Sequence, residues 1–418
     1  MTRIVLDQVI EAAPARVVLT RGAGGAVTRA SFDLAGLPRV DAALVGRRVA
    51  EVPDLVARLC GICPSAHHLA GIRALESLAG VGGLTATAQA VRRLLHHAGV
   101  VSIHVAGLVA GHQNEALLLR RFAKAVMAAA GSPGHFPVTA VPGGVVAPVA
   151  EQDRDACLAL ADDALAAARR VAEQALGGPV PPDRFDGADV ALIDDAGGLD
   201  LFGQALRAVA ADGTVLVPAG TPADFDALVA ESHPGSSAPK PYLVSLGAGR
   251  GAYRVGPVAQ LRVGPVRTPL AAQLQAAWRQ GPGGAASARA IMVVHAVEVI
   301  KALLQSPELT AGETSVEWPG TLPAGVGVGW VDGARGLLVH RYAATADGRM
   351  AAATILTPTA QNEPWLDDLL RAAGPPEGGS NAGLEDAIRE ADPCLPCSSV
   401  PPGTMDLVVE VVQPGSTD

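Results

Sequence analysis

Two Cys-x-x-Cys pairs, one near each end of the chain, constrain its fold more than any other feature. Cys60 and Cys63 form the first pair, and Cys394 and Cys397 form the second. Four thiolates make a soft ligand set that suits metal ions. If both pairs bind one centre, the two ends of the chain must meet. We therefore expect a single large domain over residues 1–418.

The number of cysteines also limits the chemistry. Five cysteines in 418 residues are too few for a disulfide scaffold, so the paired spacing indicates metal or redox chemistry. The fifth, Cys157, lies in EQDRDACLALADDALAAARRVAEQAL, whose apolar residues recur at helical spacing. We predict that Cys157 is a small buried residue of a helix.

Composition excludes some classes of partner. A hydrophobic content of 49% is enough for a sizeable core, and the net charge of −9 provides no basic field for nucleic acid or anionic lipid. The N-terminal segment lacks the pattern of a secretory signal, and no uncharged apolar stretch of about 20 residues occurs. These features predict a cytoplasmic protein with no membrane span of its own and no nucleic-acid partner.

The apolar pattern predicts an α+β fold with a mostly helical core, an N-terminal strand layer and a strand-rich middle lobe. We expect strands and the first cysteine pair in 1–82, helices in 83–176, the lobe in 177–275, helices, a hairpin and the second pair in 276–398, and a tail in 399–418. Within these parts, helices are predicted over 40–58, 65–79, 85–130, 151–176, 287–305 and 363–391. The hairpin is expected to turn at ADGR, residues 346–349.

The first cysteine pair precedes a predicted helix. Pro64 is typical of a first helical position, so Cys60 and Cys63 are expected on the loop that enters the helix N-terminus. There the helix dipole favours thiolate over thiol, which prepares both sulfurs as ligands. His67 follows one helical turn later and can donate a hydrogen bond to a sulfur.

The second pair lies between prolines. Pro393 and Pro396 stiffen this loop and reduce the entropy that is lost when the ligands are ordered. Spacing alone leaves several sites open: structural zinc, a redox disulfide, an iron-sulfur cluster or a binuclear centre.

The residues around both pairs carry a family resemblance. RLCGICPSAHHLA resembles the Arg-x-Cys-Gly-x-Cys-x-x-x-His signature of nickel-iron hydrogenase large subunits, and ADPCLPC resembles their Asp-Pro-Cys-x-x-Cys. The resemblance continues through GRRVAEVPDLVAR, FPVTAVPGGV, ARGLLVHRY and PTAQN, and PPGTMDLVVEVV is similar to the tail of soluble, cytoplasmic members. It covers nearly the whole chain except the middle third.

This resemblance implies a ligand set. Cys60 and Cys394 would be terminal nickel ligands, whereas Cys63 and Cys397 would bridge nickel to an iron that carries two cyanides and one carbon monoxide. Arg335 matches the family arginine whose guanidinium lies over the open coordination position and a cyanide. Buried cyanides are acceptors that need donors, and Arg supplies a permanently charged fork.

Further residues are assigned by the same resemblance or by the strand pattern. Thr359 lies near the position of the hydroxyl that donates to a cyanide. Arg335 is expected to face the metals in a pocket otherwise lined by apolar residues. His340 is interpreted as a structural histidine of a strand.

The sequence departs from the family pattern at several positions. Asp41 replaces a glutamate and Val400 replaces a histidine that together help to bind magnesium in catalytic members, so the magnesium site is doubtful. The proton-relay glutamate has no clear match, and Glu11 is the nearest candidate. Arg335 also lacks the proline that usually precedes this arginine.

The resemblance implies a hydrogenase that splits dihydrogen heterolytically, with Cys394 as the base for the proton. The chain lacks the cysteines for an electron-transfer chain, so an iron-sulfur small subunit is implied, together with hydrogenase maturation proteins. The alternative is a non-catalytic large-subunit-like scaffold that assembles and transfers the iron, cyanide and carbon monoxide unit. A zinc-stabilised structural protein is a third class.

The departure at Val400 makes a prediction about the tail. The family protease cuts after the histidine that Val400 replaces, so we predict that the mature protein ends at Asp418. The Val-rich run of residues 406–412 is expected to form a buried strand. Intact-mass measurement on protein from its native host checks this, and a species that ends near Val400 would contradict it.

Overall fold

Long helices form the centre of the computed structural model. The model describes residues 15–22, 24–34, 41–108, 111–319, 322–375, 380–395, 398, 400 and 403–413. Cys397, Glu11 and Asp418 therefore lie outside the described residues. The helices are α1 (Val52–Val56), α2 (Pro64–Ala79), α3 (Ala86–Leu108), α4 (Gln113–Ala129), α5 (Glu151–Leu176), α6 (Phe225–Leu228), α7 (Pro257–Val263), α8 (Pro269–Gln280), α9 (Ala285–Leu304), α10 (Pro358–Gln361), α11 (Glu363–Ala373) and α12 (Ala382–Ala391).

The helical core confirms the main sequence expectation. Helix α9 is apolar on most of its surface and packs against α3 and α5, which places it at the centre of the bundle. Cys157 is buried on α5, as predicted. The predicted segment 85–130 contains two helices, α3 and α4, and segment 40–58 forms only short 3-10 turns and α1. No helix within the described ranges combines the length and apolar character needed to cross a bilayer.

The strands form several small sheets. They are β1 (Ala15–Arg21), β2 (Val27–Phe32), β3 (Ala140–Val141), β4 (Gly144–Val145), β5 (Ala188–Ile193), β6 (Ala205–Val209), β7 (Val215–Gly220), β8 (Val229–Glu231), β9 (Pro241–Leu243), β10 (Tyr253–Arg254), β11 (Gly325–Gly333), β12 (Gly336–Ala344), β13 (Met350–Leu356) and β14 (Leu407–Val412). The middle lobe holds the sheet β10-β5-β6-β7, and helices α7 and α8 follow it.

The tail strand joins the N-terminal sheet. Strand β14 pairs in parallel with β1, and β1 pairs with β2, so the order is β14-β1-β2. The prediction of a buried tail strand is wrong, because Val408 and Val411 are 45% and 42% exposed. Strand β14 has a neighbour on one side only, and the opposite edge leaves alternate side chains in solvent.

The third sheet positions the cysteine loop. Its order is β11-β12-β13, and the β12–β13 hairpin turns at the predicted ADGR residues. Helix α2 packs directly on β11. A Cβ added at Gly329 would overlap the backbone nitrogen of Ala74 on α2, and one at Gly327 would overlap the carbonyl oxygen of the same residue. The glycines of β11 therefore let a helix and a strand approach at backbone contact.

Gly329 provides a test of this packing. We expect Gly329→Ala to lower the free energy of unfolding by about 3 kcal/mol, because neither backbone can yield to the added methyl group. Gly82→Ala is the matched control, since no described atom lies within 4 Å of a Cβ added there. Urea unfolding of both variants measures the difference, and equal stability would contradict the close approach.

Candidate metal centre

Three cysteines from the two ends of the chain meet in the structure. The Sγ of Cys63 lies 3.3 Å from that of Cys60, and Cys394 Sγ lies 3.6 Å from each of them. The three are free thiols rather than disulfides. This convergence agrees with the expectation that both pairs serve one centre, although the fourth cysteine, Cys397, lies outside the described residues.

Helix α2 holds the first pair. Pro64 occupies its first turn and Cys63 its N-cap, as the sequence predicts. The carbonyl oxygen of Cys63 accepts hydrogen bonds from the backbone nitrogens of Ala66 and His67, at 3.1 and 3.3 Å. The loop with Cys60 is therefore fixed at the helix end where backbone N–H groups favour negative charge.

A separate set of contacts holds Cys394. Helix α12 ends at Asp392, which adopts a left-handed conformation with φ of 46°. Two residues later, the backbone nitrogen of Cys394 donates to Thr359 Oγ1 at 2.7 Å. The hydroxyl of Thr359 thus accepts one hydrogen bond from the cysteine loop and keeps its own hydrogen available for another acceptor.

Arg335 lies in the β11–β12 turn and is buried rather than exposed. Its Nε donates to the carbonyl oxygen of Asp392 at 3.2 Å, and its Nη2 pairs with Asp392 Oδ1 at 3.1 Å. Burial opposes the charge, but Asp392 and the Cys394 and Cys63 sulfurs outweigh it and raise the pKa of the guanidinium above its ordinary value. The charge of Arg335 therefore faces the cysteines.

One nitrogen of this arginine has no partner among the described residues. Arg335 Nη1 is buried and makes no hydrogen bond there. The crevice beside it is lined by apolar residues such as Trp365, but also by Arg289, Asn362 and Glu390, so the expectation of otherwise apolar walls is wrong. An unpaired buried donor costs stability unless an acceptor occupies the site.

The turn that carries Arg335 rests on residues that sequence patterns did not reveal. Asp332 is fully buried, and its carboxylate accepts from the Leu192 backbone nitrogen at 3.1 Å and from Gln260 Nε2 at 2.6 Å. Burial raises the pKa of Asp332 to about 7. His96 Nε2 lies 2.9 Å from the carbonyl oxygen of Asp332. An isolated polar residue in an apolar segment was the only signal available.

The thiols share their protons unequally. Hydrogen bonds with Cys394 and Cys63 lower the pKa of the Cys60 thiol, whereas the contacts with Cys394 and Cys60, together with burial, raise the pKa of Cys63. The hydrogen bond with Cys60 raises the pKa of Cys394 to about 12. Without a metal the cluster thus holds one favoured thiolate, and a soft cation can replace the remaining protons.

His67 lies beside this cluster. A ring nitrogen of His67 and the sulfurs of Cys60 and Cys63 lie within 4.8 Å of one another. The Nδ1 of His67 is also 3.0 Å from His340 Nε2. His340 therefore does more than fill a strand position, because it contacts the histidine that faces a candidate ligand.

A cavity opens next to the bridging position. Its volume is about 130 Å³, and Cys63, Ile103, Met127 and Ala334 are among the residues that line it. His96 provides one of its polar atoms. The walls are mainly apolar, which suits a small uncharged molecule better than an ion.

The two replaced magnesium positions remain unlike a magnesium site. Asp41 is buried at the start of a short 3-10 turn and can offer one carboxylate. Val400 is half-buried, and its side chain has no donor atom. Magnesium requires several oxygen ligands in octahedral geometry, so we propose no magnesium site for this chain.

Comparison with known proteins gives the same result from sequence and from structure. The family model for nickel-dependent hydrogenases matches residues 40–109. The beta subunit of the NAD-reducing hydrogenase HoxS of Cupriavidus necator is 29% identical over 427 residues, which cover 86% of this chain and 87% of that protein. A vhu-type F420-non-reducing hydrogenase of Methanocaldococcus jannaschii contains a relative that is 27% identical, and the match covers 86% of this chain and 95% of that protein.

A solved structure agrees with these relatives. The crystal structure of an NAD+-reducing nickel-iron hydrogenase in the H2-reduced state superposes with a TM-score of 0.80 at 27% identity. The match covers 91% of this chain and 95% of that one. The expected α+β fold of a nickel-iron hydrogenase large subunit is confirmed.

The contact between Thr359 and Cys394 can be tested in the apoprotein. Thr359→Val keeps the side-chain shape but removes the acceptor for the Cys394 backbone nitrogen, so we expect a loss of about 1 kcal/mol in the free energy of unfolding. Thr359→Ser, which retains the hydroxyl, should lose less. Chemical unfolding measures both variants, and a Val variant as stable as the Ser variant would contradict the role of this hydroxyl.

Proposed function

Because the chain belongs to the nickel-dependent hydrogenase family, we propose that it is the large subunit of a nickel-iron hydrogenase, which splits or forms dihydrogen. One observation carries the proposal. Cysteines from both ends of the chain converge beside a buried arginine whose Nη1 has no partner within the described residues. A simple zinc site has no use for an unpaired cationic donor next to its thiolates.

The residues present fit a nickel and iron pair. We assign Cys60 and Cys394 as terminal nickel ligands and Cys63 and Cys397 as the bridging ligands to iron. When bound, the metals would act as Lewis acids that make dihydrogen more acidic. Thiolates suit both metals, and the exchange of thiol protons for the metals removes the crowding of like groups in the cluster.

Two side chains are suited to cyanide ligands on the iron. Arg335 can donate from its unpaired Nη1, since Asp392 occupies its other nitrogens. Thr359 accepts from the Cys394 backbone, so its own hydrogen can point to a second acceptor. Donors fixed by other contacts lose little entropy when they bind, which supports two cyanides and one carbon monoxide as the iron ligands.

Cys394 is the proposed base. Its sulfur lies at the centre, within 3.6 Å of the other two sulfurs, and can hold the proton that dihydrogen releases. The apolar cavity beside Cys63 offers a route for dihydrogen. His96 on the cavity wall is neutral, because burial lowers its pKa to about 4. The cavity therefore carries no charge from this histidine that would bind water strongly.

Electrons require a partner. The cysteine outside the two pairs, Cys157, is buried on α5 and cannot hold a cluster alone. Apolar side chains are exposed near the first pair: Phe136, Val138 and Val146 are 40%, 59% and 66% exposed. Phe136 packs beside His135, whose ring approaches Gly61. We propose that an iron-sulfur small subunit covers this surface.

The alternative function is a scaffold that carries the iron unit during maturation. The relatives found are named as hydrogenase subunits, which favours the enzyme. Cys60 and Cys394, the candidate terminal nickel ligands, are both in contact with the rest of the cluster. A carrier of iron alone has less need of them. Maturation proteins remain proposed partners, and a cytoplasmic location remains a prediction.

Metal analysis with infrared spectroscopy tests the proposal. We expect protein purified from its native host to contain nickel and iron and to show cyanide and carbonyl bands. Cys394→Ser should lose nickel and hydrogen turnover. Cys157→Ala, the control with a buried thiol outside the site, should keep both. Arg335→Lys should lower turnover about tenfold or more, because Lys retains the charge but not the planar fork.

Each other outcome has a meaning. Iron with cyanide and carbonyl bands but without nickel would support the scaffold, and zinc alone would exclude both functions. Unchanged bands and turnover in Arg335→Lys would contradict the role of Arg335 while leaving the cysteine assignments intact.

A further inference from the structure

A chain of hydrogen bonds extends from the cysteine cluster into the third sheet. His67 Nδ1 lies 3.0 Å from His340 Nε2, and His340 Nδ1 lies 2.6 Å from the hydroxyl oxygen of Tyr342. All three side chains are buried, with exposures of 5%, 0% and 0%. The cysteine end of the chain is Cys60, because hydrogen bonding with His67 contributes to the lowered pKa of that thiol.

The packing of α2 on β11 creates this contact. In the sheet, Gly329 of β11 is the register partner of His340 on β12. Because Gly329 has no side chain, α2 approaches the sheet closely enough for His67 to reach His340. Gly71, one turn after His67, does the same for the phenol, since a Cβ there would lie 3.0 Å from the Tyr342 hydroxyl.

Proton positions along the chain are linked. Each imidazole is neutral and carries one N–H, so each ring donates on one side and accepts on the other. Burial lowers the pKa of His340 and raises the pKa of Tyr342, which leaves a neutral ring and a protonated phenol. If Tyr342 donates to His340, then His340 donates to His67, and His67 is left with its N–H on Nε2.

We propose that Tyr342 and His340 are positioning residues that fix the tautomer of His67, so that its Nε2–H donates to the Cys60 sulfur and the ring is excluded from the ligand set. The reverse direction would have a different result. With its N–H on Nδ1, His67 would turn an Nε2 lone pair to the cluster and complete a site with Cys60 and Cys63, which suits zinc.

This inference rests on the proposed function only in its purpose, because a hydrogen bond to Cys60 tunes a nickel ligand. The tautomers themselves exist in the apoprotein. They can therefore be measured whether or not the protein proves to be a hydrogenase.

Nitrogen-15 NMR of the histidine-labelled apoprotein tests the direction. We expect His67 and His340 each to carry the proton on Nε2 in the unaltered chain. A proton on Nδ1 of His67 would overturn the proposal without any variant being made. Signals are assigned by their loss in His67→Gln and His340→Gln.

Tyr342→Phe removes the donor that sets the direction. We expect the His67 proton to move from Nε2 to Nδ1, and the zinc-loaded variant to show one nitrogen ligand by X-ray absorption where the unaltered chain shows sulfur. Tyr253→Phe is the matched control, because Tyr253 is also buried and donates at 3.2 Å to Gln361, outside this chain of hydrogen bonds. A nitrogen ligand in the unaltered chain, or identical tautomers in all three proteins, would overturn the proposal.

Discussion

The buried pair of Arg335 and Asp392 joins the two halves of the centre. Arg335 belongs to the turn of the third sheet, on which α2 and the first cysteine pair rest. Asp392 ends α12 and begins the loop with Cys394. Removal of two charges from water is costly, and the backbone and carboxylate contacts of Asp392 offset only part of that cost for the arginine. The remaining demand of Nη1 makes this a binding site and not only a clamp.

The same logic explains why the centre is rigid before any metal binds. Cys63 is held by the first turn of α2, Cys394 by Thr359, and Arg335 by a turn that Asp332 supports. Ligands that already lie within van der Waals distance lose little entropy on binding. A preformed cluster also selects by geometry, which matters because affinity alone ranks metals in a fixed order.

Much of this could be predicted from sequence, for physical reasons that differ between elements. Cysteine spacing and Pro64 report local chemistry, so the first pair and α2 were predicted correctly. Strand β11 was not predicted, because its glycines look like breakers and only the contact with α2 explains them. The burial of β14 was misjudged since a run of valines does not reveal which edge of a sheet it will occupy. The partner of His340 depends on the approach of two elements that are distant in sequence.

The attachment of β14 to β1 has a mechanical consequence for the second cysteine pair. Residues 395–406 connect Cys394 to a strand that is paired along its whole length with the N-terminal sheet. A connection of this length can extend to about 40 Å, at roughly 3.5 Å per residue. The chain is therefore long enough for Cys394 to move away from Cys60 and return while the strand that anchors it stays paired.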